Sequence, residues 1–154
     1  MDTSRCSICG TKLPKGKSCR DLYHELLLYT LSHSDQQYFI HQHVVDSYAA
    51  QHITSETKAI GFAAPLLGLY LFSEKGYTGK EVQKAHMQLG NKMKEWPKLE
   101  IPKNKAELTI VEVLKGQLGN DRDGIIKAWA RSVWKMWEPQ HGKIRQLTDM
   151  QLQQ

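Results

Sequence analysis

His41-Gln42-His43-Val44-Val45-Asp46-Ser47-Tyr48-Ala49-Ala50-Gln51-His52 is the stretch from which the rest of the chain is read. Three histidines, an aspartate and a tyrosine sit within a run whose other residues suit a buried helix. At about 100° per residue, His41, Val45, Tyr48 and His52 share one face, and His43, Asp46 and Ala50 lie roughly opposite. The polar groups are therefore sorted by face, as expected of a helix that carries a site as well as a core.

Outward from this helix, the sequence predicts an all-α protein: a compact bundle of about five or six helices over residues 1–154, read as one domain. Residues 1–17 form an irregular cysteine-bearing knuckle packed on it, and residues 149–154 a frayed tail. Ser18 with Asp21 resembles an N-cap pair, and Leu22, Leu26, Leu27 and Leu31 follow at helical spacing, giving a helix from Cys19 to about Leu31. Ser34 with Gln37 is a capping-box pattern that would open the central helix, which runs through His52. Ile60 to Phe72 is apolar on nearly every side and belongs in the middle of the fold; Pro65 should kink it or mark its start, and Gly76 should stop it.

Downstream, Thr78 with Glu81 caps a helix to about Met93, and Pro97 and Pro102 bracket an extended connection. Thr109 with Glu112 caps a short helix over 110–118, followed by a turn at Gly119, Asn120 and Asp121. The last helix places Ile126, Trp129, Val133 and Trp137 on one stripe, with Trp134 close by, which reads as core. Pro139 kinks or restarts it, and His141, Ile144 and Leu147 continue its apolar side.

All three cysteines, Cys6, Cys9 and Cys19, lie in the first twenty residues. An odd number in a chain with no signal-peptide pattern argues against a disulfide framework and for metal chemistry. Cys6-x2-Cys9-Gly10 can turn two sulfurs towards one point, and Cys19 at a helix N-terminus gains acidity as a ligand. Zinc is the expected ion. The fourth ligand is less evident: His24 lies roughly 140° around the helix from Cys19, so His52 is the choice, with water as the alternative if no protein group fills the position. A redox Cys-x-x-Cys would normally open a helix in a sheet-containing fold and fits the surroundings less well.

Asp46 lies inside an apolar helix and needs a partner, either as a structural hydrogen-bond hub or as a general base. His141, beyond Trp137 on the final helix, is the second catalytic candidate. His41 and His43 read as ordinary surface or capping residues.

The formal charge is +5, and residues 75–105 hold eight lysines against Glu81, Glu95 and Glu100. Such runs are either solvated faces or phosphate-facing surfaces. Lys80, Lys84, Lys92 and Lys94 are the nucleic-acid-binding candidates, although few aromatics interleave with them. No apolar run is long enough for a membrane helix, and a cytoplasmic location is expected.

The Cys-x-x-Cys-Gly motif, the cysteine opening the first helix, the phrase from Val45 to His52 and the run Trp129-Ala130-Arg131-Ser132-Val133-Trp134 followed by Trp137 and His141 together resemble an uncharacterised bacterial family. It is labelled only as a domain of unknown function, and its hallmark is a VDAYxxQH-like segment. Here Ser47 replaces the alanine of that segment, and Ile53 stands where proline commonly follows. The resemblance covers most of the chain and implies that Cys6, Cys9, Cys19, Asp46, Gln51 and His52 act together, without supplying an activity. Two readings follow: a zinc-stabilised helical protein that binds a protein or nucleic-acid partner, or a metal-dependent hydrolase or transferase with an open metal position near Asp46 and His52.

Overall fold

A computed structural model describes residues 4–32 and 37–152 of the chain. Among these residues there are seven α-helices, a single 3-10 turn and no strand beyond one isolated antiparallel bridge between Arg5 and Lys12. The all-α expectation holds, with more helices than the five or six predicted because proline and glycine divide the last third of the chain.

The first helix, α1, is Cys19–Ser32. Its start is a reciprocal cap: the Ser18 amide donates to Asp21 Oδ2 at 2.8 Å, and the Asp21 amide to Ser18 Oγ at 3.1 Å. Leu22, Leu26 and Tyr29 are buried, whereas Leu31, expected on the same stripe, is exposed.

The central helix α2 is His41–Gln51 and begins later than predicted. Ser34, half of the proposed capping box, lies outside the described residues. No side chain caps the helix; Phe39 instead reverses the chain with φ 61°, a left-handed conformation uncommon outside glycine. Gly79 seals this corner, because a Cβ there would lie 1.8 Å from the Phe39 carbonyl oxygen.

Helix α3, Ala59–Lys75, is the axis of the bundle and packs against α2 and three later helices. Its run from Phe62 to Phe72 is buried apart from Ala64 at its edge, as the unbroken apolar sequence predicted. Pro65 is neither its first turn nor its end but lies within it. Gly76 closes the helix at φ 73°, with the Tyr77 amide donating to the Leu71 carbonyl at 3.0 Å, which is the six-residue bond of a Schellman cap.

Helix α4, Gly79–Lys92, and helix α5, Ile110–Lys115, both open with the predicted capping boxes, at Thr78/Glu81 and Thr109/Glu112. α5 stops three residues short of Leu118. Gly119, at φ 89°, is the N-cap of α6, so Asn120 and Asp121, expected in a turn, are the first residues of that helix, Asn120–Met136. Glu138–Gln140 forms the 3-10 turn around Pro139, and α7 continues from His141 to Leu152.

The tryptophan stripe of α6 is core, as expected: Trp129, Trp134 and Trp137 are all buried. It also fixes the end of α2. Trp129 Nε1 donates to Gln51 Oε1 at 2.9 Å and Trp137 Nε1 to the Ala50 carbonyl at 3.1 Å, which occupies one of the carbonyls that a helix C-terminus leaves unpaired. No helix is long and apolar enough to cross a membrane among the described residues.

Candidate metal centre

The knuckle is a tight hairpin over residues 4–13. Cys6 N donates to the Thr11 carbonyl at 3.0 Å, Gly10 N to the Cys6 carbonyl at 2.9 Å, and Leu13 N to the Ser4 carbonyl at 2.8 Å. Gly10, at φ 80°, makes the return that a side chain would strain. The hairpin is fastened to the distant connection before α5: Thr11 Oγ1 lies 2.7 Å from Thr109 Oγ1, and Lys105 Nζ donates to the Ile8 carbonyl.

This arrangement brings together four residues from three segments. The donor atoms of Cys6, Cys9, Cys19 and His52 all lie within 4.8 Å of one another, and the three cysteines are free thiols. Cys9 and Cys19 are buried, and Cys6 and His52 are half-buried. Cys9 Sγ and Cys19 Sγ are 3.7 Å apart, and Cys19 Sγ is 3.2 Å from His52 Nε2. Tetrahedral bonds of about 2.3 Å to sulfur and about 2.0 Å to nitrogen imply edges of about 3.8 Å and about 3.5 Å. The spacing therefore matches a single ion held by four protein donors, and these residues are positioned to bind a metal.

The thiols of the cluster perturb one another. A hydrogen bond with Cys19 lowers the Cys9 pKa to about 4 against the effect of burial, helped by His52 and the Thr11 backbone. That same bond, then burial and the neighbouring sulfurs, pushes Cys19 far up. Three thiolates cannot share this space without a counter-charge, and a bound dication supplies one.

Sequence spacing built a second layer that composition did not reveal. Tyr48 lies four residues before His52 and Tyr23 four residues after Cys19, so each tyrosine shares a helix face with a ligand. The rings form a continuous stack: Tyr23 on Tyr48 with centroids 3.9 Å apart, and Tyr48 on His52 at 4.0 Å. Burial and then the nearby sulfurs push the Tyr48 hydroxyl up to about 12. His52 Nδ1 lies 2.8 Å from the Tyr48 carbonyl oxygen, leaving Nε2 towards the sulfurs.

The other candidates lie apart from this cluster. Asp46 is paired, as its burial required, with His86, whose Nε2 is 3.2 Å from both carboxylate oxygens, and with the Gln42 amide at 3.2 Å. Nothing in the sequence singled out His86. Gly68 makes room for the pair, since a Cβ there would lie 1.9 Å from Asp46 Oδ2. His141 does not reach α2; its Nε2 donates to the Trp134 carbonyl at 2.6 Å and its ring stacks on Trp134.

His43 differs from the surface role expected of it. It is buried against Phe72 with Nε2 3.0 Å from the Tyr38 hydroxyl, and burial, with Lys127 and Arg131 nearby, lowers its pKa to about 3. Lys80, Lys84, Lys92 and Lys94 are exposed. Lys80 bonds Gln83 and Lys92 reaches the Gln151 carbonyl, so two of the four are partly engaged within the fold.

A sequence model of a family of unknown function, DUF5946, matches residues 4–138, which span the knuckle, all four donors and the tryptophan stripe; the chain belongs to that family. No curated protein and no solved structure matches it.

Proposed function

We propose that this member of the family is a zinc protein whose ion is structural, and that it acts by binding a protein or nucleic-acid partner. The observation that carries this reading is the number and closeness of the donors: three sulfurs and one imidazole, mutually within 4.8 Å, are enough to fill the four positions of a tetrahedral zinc ion. Three thiolates and an imidazole suit zinc, and such an ion would clamp the knuckle onto the first turn of α1 and the end of α2. Asp46 and His141, spent on His86 and on the Trp134 carbonyl, are turned to structural bonds, which weighs against the alternative of a hydrolase or transferase.

The deciding experiment is metal content of the untagged protein beside Cys6→Ser and His52→Ala. One zinc per chain, lost from both variants together with helicity, supports the structural reading. Zinc retained at full stoichiometry without His52 favours the open-site alternative. For the partner, the exposed lysines on α4 and beyond are the surface to test. Binding of a duplex oligonucleotide through Lys80, Lys84, Lys92 and Lys94 would weaken steeply as salt rises, and no binding at low salt would leave protein as the partner class.

A further inference from the structure

Cys9 does more than complete the ligand set: it also forms part of the wall of a cleft of about 200 Å³ between the knuckle, the end of α2 and the connection before α5. Ala50, Ile53, Ala106 and Trp137 give the cleft apolar sides, and Lys105 stands among its lining residues. Cys9 is 5 % exposed, so what reaches it must be small. Cys19 Sγ lies 3.7 Å from Cys9 Sγ, against about 2.05 Å in a disulfide.

We propose that this cluster is a peroxide-responsive modification site, in which Cys9 is the thiolate that attacks peroxide and Cys19 resolves the product, expelling the metal. The inference rests on the metal-site reading above. The Cys9 thiolate attacks one oxygen of hydrogen peroxide; an S–O bond forms as the O–O bond breaks, and hydroxide leaves. The Cys19 thiolate then attacks the Cys9 sulfur, forming the S–S bond and expelling a second hydroxide. Two thiolates lose two electrons in total, and one peroxide is reduced to two hydroxides, which take protons from solvent. The ion is left with Cys6 and His52 and dissociates.

The geometry gives this chemistry a particular outcome. A Cys9–Cys19 disulfide ties the knuckle to α1 by a covalent bond, so loss of the ion frees the His52 imidazole while the knuckle stays in place. A bond between Cys6 and Cys9 would instead close within the hairpin and release it from both helices.

The test uses the full chain with its native metal. Metal content is measured first, then release is followed with a chromogenic chelator as hydrogen peroxide is added, and the products are alkylated, digested and mapped by mass spectrometry. The expected result is one metal released per disulfide, a Cys9–Cys19 cross-link, an alkylated Cys6, and reversal by a dithiol reductant with metal present. An Ala106→Met variant, which narrows the cleft without touching a ligand, should hold the same metal and release it several-fold more slowly. Retention of metal with all thiols reduced under excess peroxide overturns the proposal, as does a Cys6–Cys9 cross-link or an unchanged rate in Ala106→Met. Absence of metal before peroxide is added overturns the metal-site reading itself.

Discussion

Tyr48 holds His52 in two ways: its carbonyl oxygen lies 2.8 Å from His52 Nδ1, and its ring stacks on the imidazole with centroids 4.0 Å apart. A carbonyl can only accept, so Nδ1 carries the proton and Nε2, 3.2 Å from Cys19 Sγ, presents its lone pair to the sulfurs. The backbone of one helical turn thus selects the tautomer that a metal requires.

Nitrogen NMR of the metal-loaded protein should accordingly show His52 protonated at Nδ1 and bare at Nε2. Replacing Tyr48 by Leu keeps the carbonyl but removes the stacked ring, and should leave stoichiometry at one while weakening metal affinity by about tenfold. A proton found on Nε2 contradicts the arrangement.

The Asp46–His86 pair makes stability depend on pH. Burial opposes the charged form of His86, but the charge of Asp46 and its hydrogen bond outweigh burial and raise the imidazole above its ordinary pKa. Burial likewise raises Asp46, against the pull of His86 and Gln42. Both shifts mean that the folded state holds protons more tightly than the unfolded chain, so their contribution is present at low pH and lost as pH rises through the folded values. In urea unfolding, the advantage of wild type over Asp46→Asn should shrink as pH rises above about 6.5, the ordinary imidazole value. A gap independent of pH would show that the pair does not titrate as described.

Gly68 should tolerate nothing larger. Gly68→Ala would press its methyl onto the Asp46 carboxylate and cost about 2 to 3 kcal/mol. The same change in an Asp46→Ala background should cost much less, a coupling that a double-mutant cycle reads directly. Equal costs in the two backgrounds would place the strain elsewhere.

Gln51 should be indispensable to the end of α2. Its amide nitrogen donates to the Leu108 carbonyl at 2.8 Å while its oxygen accepts from Trp129 Nε1, so Gln51→Leu leaves two enclosed polar groups without partners. A loss of about 3 kcal/mol is expected from denaturant unfolding. Weakened metal binding should accompany it, because Gln51 adjoins the ligand at His52; unaltered metal affinity would separate the two roles.

How much of this was legible in the sequence depended on whether the signal was local. Capping boxes at Thr78 and Thr109, the αL stop at Gly76 and the apolar run of α3 are decided within a few residues, and each was read correctly. The start of α2 was misplaced because Phe39 reverses the chain by a strained backbone that no residue pattern announces. The site divided the same way. Cys6, Cys9 and Cys19 announce themselves by spacing, and Tyr23 and Tyr48 could have been found by asking what lies one helical turn from each ligand. His86 could not, since its meeting with Asp46 depends on how α4 crosses α2. The burial of His43 likewise depends on Phe72 and α6, elements remote in sequence.

The placement of the four donors along the chain bears on how the protein is made. Cys6, Cys9 and Cys19 lie close together along the chain and need only a hairpin and one helical turn to converge, whereas His52 follows 33 residues after Cys19. Closing that loop carries an entropic cost that grows only slowly with length. An ion held by the three sulfurs would offer an anchor on which α2 docks its imidazole, so refolding should be faster with metal present than with a chelator.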